Sequence, residues 1–220
     1  MNPVDLRLYA LLDPDNAGGH APPRLAELIA PATTLVQLRD KRGTTREMVA
    51  RARALHAVLS PRKIPLLIND RVDVALACGA EGVHVGWDDM EPADARRLLG
   101  PTAIIGLSIK SVKQADAAPL DQLDYVAIGG VFATISKNNP DPPVGLDGFR
   151  TILAAIRRRA PGMPVAAIAG IDANNAGDVI AAGAGGVSVI SALSRAADPA
   201  AAAKTLRGLI DAALAKRGAP

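Results

Sequence analysis

The sequence has few aromatic residues, a single cysteine and no long apolar segment. Aromatic residues make up 2% of the 220 residues, which argues against a surface on which successive nucleic-acid bases stack. The lone Cys78 cannot form an internal disulfide, so a reducing compartment is favoured and we expect a cytoplasmic protein. No run of about 18 apolar residues occurs, and the first residues lack the pattern of a signal peptide. The sequence therefore predicts no membrane association.

The charges are nearly balanced and are interspersed along the chain. There are 25 Lys and Arg residues against 22 Asp and Glu residues, and the sequence pI is near 9.2. A slightly basic pI of this kind suits anionic ligands. The basic run at residues 157–159 is typical of the solvated end of a helix, whereas a nucleic-acid footprint normally needs a wider basic stripe. We therefore predict no nucleic-acid partner.

Short apolar runs alternate with stretches of helical periodicity, which is typical of parallel strands joined by crossover helices. Eight such units predict an α/β protein with a single (β/α)₈ TIM barrel, built as one domain over residues 1–220 and filled by Ala, Val, Leu and Ile. The predicted strands are Leu8–Leu12, Leu35–Leu38, Pro65–Ile68, Gly82–Val85, Ala103–Leu107, Tyr125–Ile128, Val165–Ala169 and Gly186–Ile190.

The connections between strands also carry local signals. The spacing of Val49, Ala52, Arg53 and His56 predicts one face of a helix over residues 46–59, with Thr44 or Thr45 as its cap. Residues 77–83 and 181–187 repeat one joint, in which a helix end is followed by a glycine turn and a buried strand. Two copies half a barrel apart suit an eightfold architecture.

Gln37, Arg39 and Lys41 alternate with period two where the second strand leaves the core, so their side chains share one face. In a barrel of this kind the active site lies at the carboxyl ends of the strands. A planar guanidinium beside a mobile ammonium suits a pyrophosphate group. The alternative is an outer-face or loop cluster that makes salt bridges.

Asp70 and Asp89 follow the third and fourth strands, which are neighbours in a barrel. Two carboxylates, waters and substrate phosphate oxygens form a ligand set that Mg²⁺ accepts. Either aspartate could instead cap the helix that follows it. The same end of the barrel carries Asn69 and Ser108, so polar groups from four successive strands are expected to converge there.

Residues after the seventh and eighth strands, Gly170, Ile190 and Ser191, occupy the place where barrels commonly hold a phosphate on backbone N–H groups. An ordinary strand-to-helix turn is the alternative. The long segment 129–145 follows the sixth strand and is a candidate lid. His84 is expected to be a structural hydrogen-bonding residue, and Cys78 is expected to be buried filler.

Taken together, these motifs resemble the thiamine-phosphate synthase family over nearly the whole chain. The family patterns Q-[FL]-R-[ED]-K, I-N-D, G-[IV]-H-[IVL]-G-Q-x-D and I-G-x-S are matched in order by residues 37–41, 68–70, 82–89 and 105–108. Residues 185–191 are similar to the family's last strand and phosphate loop. Trp87 stands where the family usually has Gln, and Lys110 where it usually has His.

The resemblance implies a transferase of thiamine biosynthesis. It would join 4-amino-5-hydroxymethyl-2-methylpyrimidine diphosphate to a thiazole phosphate, with Mg²⁺ as cofactor and with release of pyrophosphate. The implied chemistry is dissociative: pyrophosphate departs and the thiazole nitrogen captures a pyrimidine methyl cation. Its partners would be small phosphorylated substrates, and self-association into a homo-oligomer is left open.

The resemblance also assigns a role to each matched residue. Catalysis would involve Arg39, Lys41, Ser108 and Lys137, and Asp70 and Asp89 would bind the metal. The pyrimidine diphosphate would be held by Gln37, Arg39, Lys41, Asn69 and Ser108, and the thiazole phosphate by Thr134, Ser136, Gly170, Ile190 and Ser191.

Two other functions remain at this stage. A thiazole tautomerase, or another barrel isomerase acting on a phosphorylated ligand, would need a positioned acid or base and no diphosphate clamp. A protein that binds a phosphorylated ligand without catalysis would show no turnover. The combination of Arg39, Lys41, Asn69, Asp70 and Asp89 favours the synthase.

Overall fold

Eight parallel strands close into a barrel in the order β1 to β8 in the computed structural model, which describes residues 4–134, 136 and 142–218. This confirms the (β/α)₈ prediction. The strands are β1 (Leu8–Leu12), β2 (Leu35–Leu38), β3 (Leu66–Asn69), β4 (Gly82–Val85), β5 (Ile104–Ile109), β6 (Tyr125–Ile128), β7 (Val165–Ile168) and β8 (Gly186–Val189).

Helices follow the strands and form the outer layer. They are α1 (Pro22–Ile29), α2 (Thr45–Leu59), α3 (Val72–Cys78), α4 (Pro92–Leu99), α5 (Val112–Ala117), α6 (Gly145–Arg159), α7 (Ala176–Ala181), α8 (Ser191–Ser194) and α9 (Pro199–Arg217). Short 3₁₀ turns lie at Pro14–Asn16, Ser60–Arg62 and Leu120–Gln122. Within the described residues, no helix combines the length and the apolar content needed to cross a bilayer.

The predicted bounds of β1, β2, β4 and β6 are confirmed, whereas those of β3, β5, β7 and β8 differ from the structure by one or two residues. The fifth strand runs from Ile104 to Ile109, so Ser108 lies within the strand and not after it. The third strand likewise includes Asn69. Both polar residues continue a parallel ladder, because backbone pairing does not depend on whether a side chain is polar. Ser108 pairs with Ala127, and Asn69 pairs with His84.

The helix predicted over residues 46–59 is confirmed as α2, but its buried face is offset by part of a turn from the face that the spacing marked. Its buried residues are Met48, Ala52, Leu55 and Leu59, whereas Arg53 is exposed. Arg53 instead donates from Nη2 to the carbonyl of Ala77 at 2.9 Å. The start of the helix was predicted well: Thr44 and Glu47 form a capping box.

Successive side chains along each strand point to opposite faces of the barrel wall and form two separate cores. One core packs beneath the helices and consists of residues such as Leu8, Val36 and Val126. The other fills the barrel interior, where Tyr9 and Tyr125 are its largest members. These are the only tyrosines in the sequence. The expectation of an interior built from Ala, Val, Leu and Ile therefore missed its two central residues.

The repeated glycine joints begin β4 and β8, on opposite sides of the barrel. A Cβ at Gly82 would lie 1.9 Å from the carbonyl oxygen of Ile104, and one at Gly186 would lie 1.7 Å from that of Leu6. Both obstacles are backbone atoms of the adjacent strand or of the residues that lead into it. Glycine therefore allows adjacent backbone segments of the barrel to approach each other closely at these two points.

We predict that Gly82→Ala lowers the free energy of unfolding by about 3 kcal/mol, because a backbone clash cannot be relieved by rotating a side chain. Gly208→Ala in the exposed middle of α9 is the matched control, since its Cβ would meet no atom within 4 Å. The control should gain roughly 0.5 to 1 kcal/mol. Denaturant unfolding measures both values. A Gly82→Ala variant as stable as the wild type would contradict this account.

Candidate active site

A cavity of about 570 Å³ opens at the carboxyl ends of the strands. Nine of the residues predicted to bind or act on substrate line it: Gln37, Arg39, Asn69, Ser108, Thr134, Ser136, Gly170, Ile190 and Ser191. Lys41, Asp70 and Asp89 lie outside this lining and form a separate polar cluster. Lys137 falls outside the described residues. Strands far apart in sequence therefore bring most of the predicted site into one cavity.

The face predicted on β2 exists, and its polar residues differ steeply in exposure. Gln37 is 0% exposed, the Arg39 side chain is 15% exposed and the Lys41 side chain is 48% exposed. Period-two spacing aligns the three side chains, and each step along the chain moves one of them further out of the barrel. Gln37 thus lies on the cavity floor, while Lys41 stands at the rim.

Asp70 and Asp89 do meet at the rim, together with Lys41. The Nζ of Lys41 donates to Oδ2 of Asp70, and the carboxyl groups of Asp70 and Asp89 are close enough to hydrogen-bond when one is protonated. Burial raises the pKa of Asp70; Lys41 opposes this rise, and Asp89 adds to it. Two carboxylates held this close favour a cation between them.

Neither aspartate caps the helix that follows it. The cap positions of α3 and α4 are Arg71 and Glu91, and neither makes a side-chain capping bond. Asp89 instead accepts a hydrogen bond at 2.8 Å from the backbone N–H of Gly86. Asp70 adopts a positive φ of 63°, which is uncommon for a residue other than glycine. Helix capping therefore does not explain either residue.

The donor chemistry at this rim fits Mg²⁺. Across residues 4–134, 136 and 142–218, no group of three or more His, Cys, Asp or Glu side chains could hold a metal by itself. Mg²⁺ is commonly bound by one or two carboxylates, with the remaining positions taken by waters and substrate phosphates. Asp70 and Asp89 would supply the protein share of such a site.

Arg39 has a buried partner that the sequence reasoning missed. Its Nη1 donates to Oδ2 of Asp13, which is 3% exposed. Asp13 also accepts from the backbone N–H of Asp15 at 2.9 Å and from Nδ2 of Asn16 at 3.2 Å. These bonds fix the carboxylate and with it the guanidinium. The available signal was positional, because Asp13 follows β1 directly, as Asp70 follows β3.

The opposite side of the cavity is shaped by the loops after β7 and β8. Gly170 has a φ of 65°, and a Cβ there would lie 2.3 Å from the carbonyl oxygen of Ala133. Nδ2 of Asn175 donates to the Gly170 carbonyl at 2.8 Å and holds this loop in place. Ala169 also has a positive φ, 95°. Such strain in a non-glycine residue is typical of functional loops.

The segment between β6 and α6 contributes Thr134 and Ser136 to the cavity. The backbone N–H of Ser136 donates to Oγ1 of Thr134 at 3.2 Å. The Oγ of Ser136 is buried and has no hydrogen-bond partner among the described residues. A buried hydroxyl of this kind is suited to a polar ligand. That the segment 129–145 acts as a lid stays a prediction.

His84 lines the floor of the cavity and makes two hydrogen bonds to other described residues. Its Nδ1 lies 2.8 Å from Oη of Tyr125, and its Nε2 lies 2.8 Å from Oγ of Ser108. The prediction of a structural hydrogen-bonding histidine is therefore confirmed. Lys110 lines the cavity, whereas Trp87 is 40% exposed. Cys78 is half-buried, and burial raises the pKa of its thiol, which fits an unreactive filler.

Comparisons with known proteins agree on one family. Residues 8–193 match the family model described as thiamine monophosphate synthase. The chain is 53% identical over 218 residues to the thiamine-phosphate synthase of Agrobacterium fabrum, covering 99% of each. It is 46% identical over 211 residues to that of Albidiferax ferrireducens, covering 94% of this chain and 93% of the relative. The solved thiamine phosphate pyrophosphorylase from Pyrococcus furiosus superposes with a TM-score of 0.82 at 32% identity, covering 96% and 98% of the two chains.

We predict that Asp13→Asn lowers the free energy of unfolding by about 3 kcal/mol, because it leaves the Arg39 guanidinium without its buried counter-charge. Pyrophosphate with Mg²⁺ should then raise the melting temperature of the variant more than that of the wild type, since the anion would replace the lost carboxylate. Thermal scans with and without pyrophosphate measure this difference.

Asp147→Asn is the control, because the Asp147 side chain is 98% exposed where it pairs with Arg150. The control should change stability by less than about 1 kcal/mol. Equal pyrophosphate-induced shifts in the wild type and in Asp13→Asn would show that Asp13 does not position Arg39.

Proposed function

The chain belongs to the thiamine monophosphate synthase family, and on that premise we propose which of its residues carry out the reaction. It is a transferase that couples 4-amino-5-hydroxymethyl-2-methylpyrimidine diphosphate to a thiazole phosphate, giving thiamine monophosphate and pyrophosphate. The observation that carries the residue assignment is the cluster of Lys41, Asp70 and Asp89 at the rim of the cavity, beside the Arg39–Asp13 pair.

The diphosphate is bound on the β2 and β3 side of the mouth. Arg39 and Lys41 supply two cations at different depths, and Asn69 and Ser108 supply neutral polar groups beside them. Gln37 supports the pyrimidine from the cavity floor. A fork of guanidinium donors and a mobile ammonium together suit both phosphoryl groups.

Asp70 and Asp89 hold Mg²⁺ at this rim. When bound, the cation supplies positive charge to the departing pyrophosphate oxygens. The ammonium of Lys41 contacts Asp70 and so balances the charge of one of the two carboxylates. The same ammonium can turn towards a bound diphosphate, because its side chain is 48% exposed.

The thiazole phosphate is bound across the mouth by the loops after β6, β7 and β8. Gly170 lets the ligand approach the backbone closely, Thr134 and Ser136 offer hydroxyl groups, and Ile190 and Ser191 offer the backbone where α8 begins. The two anions therefore occupy opposite sides of one cavity. This placement directs the thiazole nitrogen towards the pyrimidine methylene carbon.

Catalysis then depends on charge and alignment, and no protein nucleophile is required. Arg39, Lys41 and Lys137 stabilise the negative charge that grows on pyrophosphate as the carbon–oxygen bond breaks. The resulting pyrimidine cation is captured by the thiazole nitrogen, which the phosphate loops hold in line. Closure of the segment 129–145 would exclude water from the cation.

The relatives support neither the tautomerase nor the non-catalytic binding protein. Enzymes of the synthase name match nearly the full length of the chain. We further propose that residues 1–220 form one domain, and that the protein works in the cytoplasm, which is consistent with its single cysteine. Self-association into a homo-oligomer stays an open prediction.

We predict that Asp70→Asn and Asp89→Asn each raise the Mg²⁺ concentration needed for half-maximal activity by about tenfold or more. The assay mixes both phosphorylated precursors with Mg²⁺ and measures thiamine monophosphate. Asp88→Asn is the matched control, because Asp88 is exposed and adjacent to Asp89. An unchanged Mg²⁺ dependence in both variants would remove the two aspartates as metal ligands. Absence of product with the wild type would contradict the function itself.

We also predict that Arg39→Ala and Lys41→Ala each weaken binding of the pyrimidine diphosphate by roughly tenfold or more, since each removes a charge-assisted contact. Binding of the thiazole phosphate should change by less than about twofold, because it lies on the other side of the mouth. Calorimetry separates the two ligands. Arg42→Ala is the control, as the Arg42 side chain is 83% exposed. Equal losses for both ligands would mean that the clamp is misassigned.

A further inference from the structure

A hydrogen-bonded chain of polar side chains crosses the barrel interior at the floor of the cavity. Nε2 of Gln37 donates to Oη of Tyr9, which lies 2.8 Å from Oη of Tyr125. Tyr125 continues to Nδ1 of His84 at 2.8 Å, and Nε2 of His84 reaches Oγ of Ser108 at 2.8 Å. The chain thus links two residues of the proposed pyrimidine site, Gln37 and Ser108, through three residues with no role in the mechanism above.

Counting protons along this chain gives each group one role. Nε2 of Gln37 can only donate, so Oη of Tyr9 accepts from it. Among the described residues the only acceptor near the Tyr9 proton is then Oη of Tyr125, so Tyr9 donates to Tyr125 and keeps its buried proton paired. Tyr125 then gives its proton to Nδ1 of His84. A neutral imidazole that accepts at Nδ1 carries its proton on Nε2, which donates to the hydroxyl of Ser108. The hydroxyl proton of Ser108 is left to point elsewhere, and Ser108 lines the cavity.

We propose that this chain fixes His84 as the Nε2–H tautomer and thereby makes Ser108 a hydrogen-bond donor to the pyrimidine substrate. Tyr9, Tyr125 and His84 are positioning residues that act through Ser108. The group that Ser108 recognises must be an acceptor, either an unprotonated ring nitrogen or a diphosphate oxygen. The assignment of substrate rests on the proposed function, whereas the tautomer does not.

The reverse direction would require the Gln37 amide to be turned around if the buried proton of Tyr9 is to keep a partner. Oε1 of Gln37 would then accept from Tyr9, and the whole Nε2 group, with two N–H donors, would be left without a partner. In the observed orientation the atom without a partner among the described residues is the Oε1 acceptor. Buried donors without partners are rarer than buried carbonyl oxygens without partners. The observed direction is therefore the less costly one.

Both phenols also keep the single proton that the chain requires. Burial raises the pKa of Tyr9 and of Tyr125 above the ordinary tyrosine value, since both rings are enclosed in the barrel. Gly106 makes room for this arrangement, because a Cβ there would lie 2.1 Å from Cζ of Tyr125. The rings are thus held in place, and neither hydroxyl ionises in the neutral range.

Nitrogen-15 NMR of the ligand-free protein tests the tautomer directly. The protein has three histidines, so a His20→Gln/His56→Gln variant leaves His84 as the one imidazole in the spectrum. We expect a pyridine-like Nδ1 resonance and a pyrrole-like Nε2 resonance near pH 7.5. The opposite assignment, two pyrrole-like nitrogens, or averaged shifts from a mixture would each overturn the proposal. This measurement does not depend on catalysis.

Tyr125→Phe and Tyr9→Phe are made in that background. Each removes one hydroxyl and so interrupts the hydrogen bonds between Gln37 and His84, while the aromatic ring stays in place. Both should add a population with the proton on Nδ1. Ser188→Ala is the control, because Ser188 is a buried interior hydroxyl outside the chain, with no partner in the described residues, and the tautomer should not change. Melting curves identify a variant that has failed to fold. If neither phenylalanine variant alters the His84 signals, the chain does not set the tautomer.

Kinetics then test the link to Ser108. Ser108→Ala should lower kcat/KM for the pyrimidine diphosphate by about tenfold, which is the effect of one lost hydrogen bond. Tyr125→Phe should lower it by less, and Tyr125→Phe/Ser108→Ala should be no worse than Ser108→Ala alone. The KM for thiazole phosphate should stay the same. Additive losses would overturn the role of Tyr125, while an inactive wild type would overturn the function and leave the NMR result intact.

Discussion

The hydrogen bond between the hydroxyl groups of Tyr9 and Tyr125, 2.8 Å apart in the middle of the barrel, is the contact on which the remaining interior depends. Their rings meet edge to face at 5.8 Å and are the largest side chains of the interior core. A parallel barrel of this size is filled by side chains. Gly106 accordingly carries no side chain where the ring of Tyr125 lies, and the interior position above it, Ser108, is small.

This packing explains how one set of strands serves both stability and chemistry. Each strand alternates between an outer face covered by helices and an inner face that points into the barrel. Along the inner face, apolar residues such as Leu35 and Leu67 give way to Gln37 and Asn69 within two residues. The change from core to site therefore takes place over a single interior layer, and the tyrosine hydroxyls form the boundary.

The charged side chains at the cavity mouth are paired with one another. Arg39 is paired with Asp13 and Lys41 with Asp70. Burying the Arg39 guanidinium alone would cost free energy, because the charge loses its hydration. Its carboxylate partner, Asp13, offsets this cost and so allows a cation to lie deep in the cavity. Lys41 lies at the rim, where water reduces this cost. The two cations thus differ in exposure because they differ in depth.

The sequence by itself was sufficient to predict the barrel. Short apolar strands, helical stretches and glycine joints are local patterns, and each predicts its own element. It was also sufficient for the residues at the strand ends, since topology alone brings the carboxyl ends of parallel strands to one mouth. The spacing did not mark the buried face of α2 because several spacings fit a helix, and packing into the core beneath the helices selected one of them.

Only the tertiary structure decided which polar groups touch. Asp13 and Arg39 are 26 residues apart, and Tyr9 and Tyr125 are 116 residues apart. No local pattern relates members of such pairs, because their contact depends on strand register and on the space that other side chains leave.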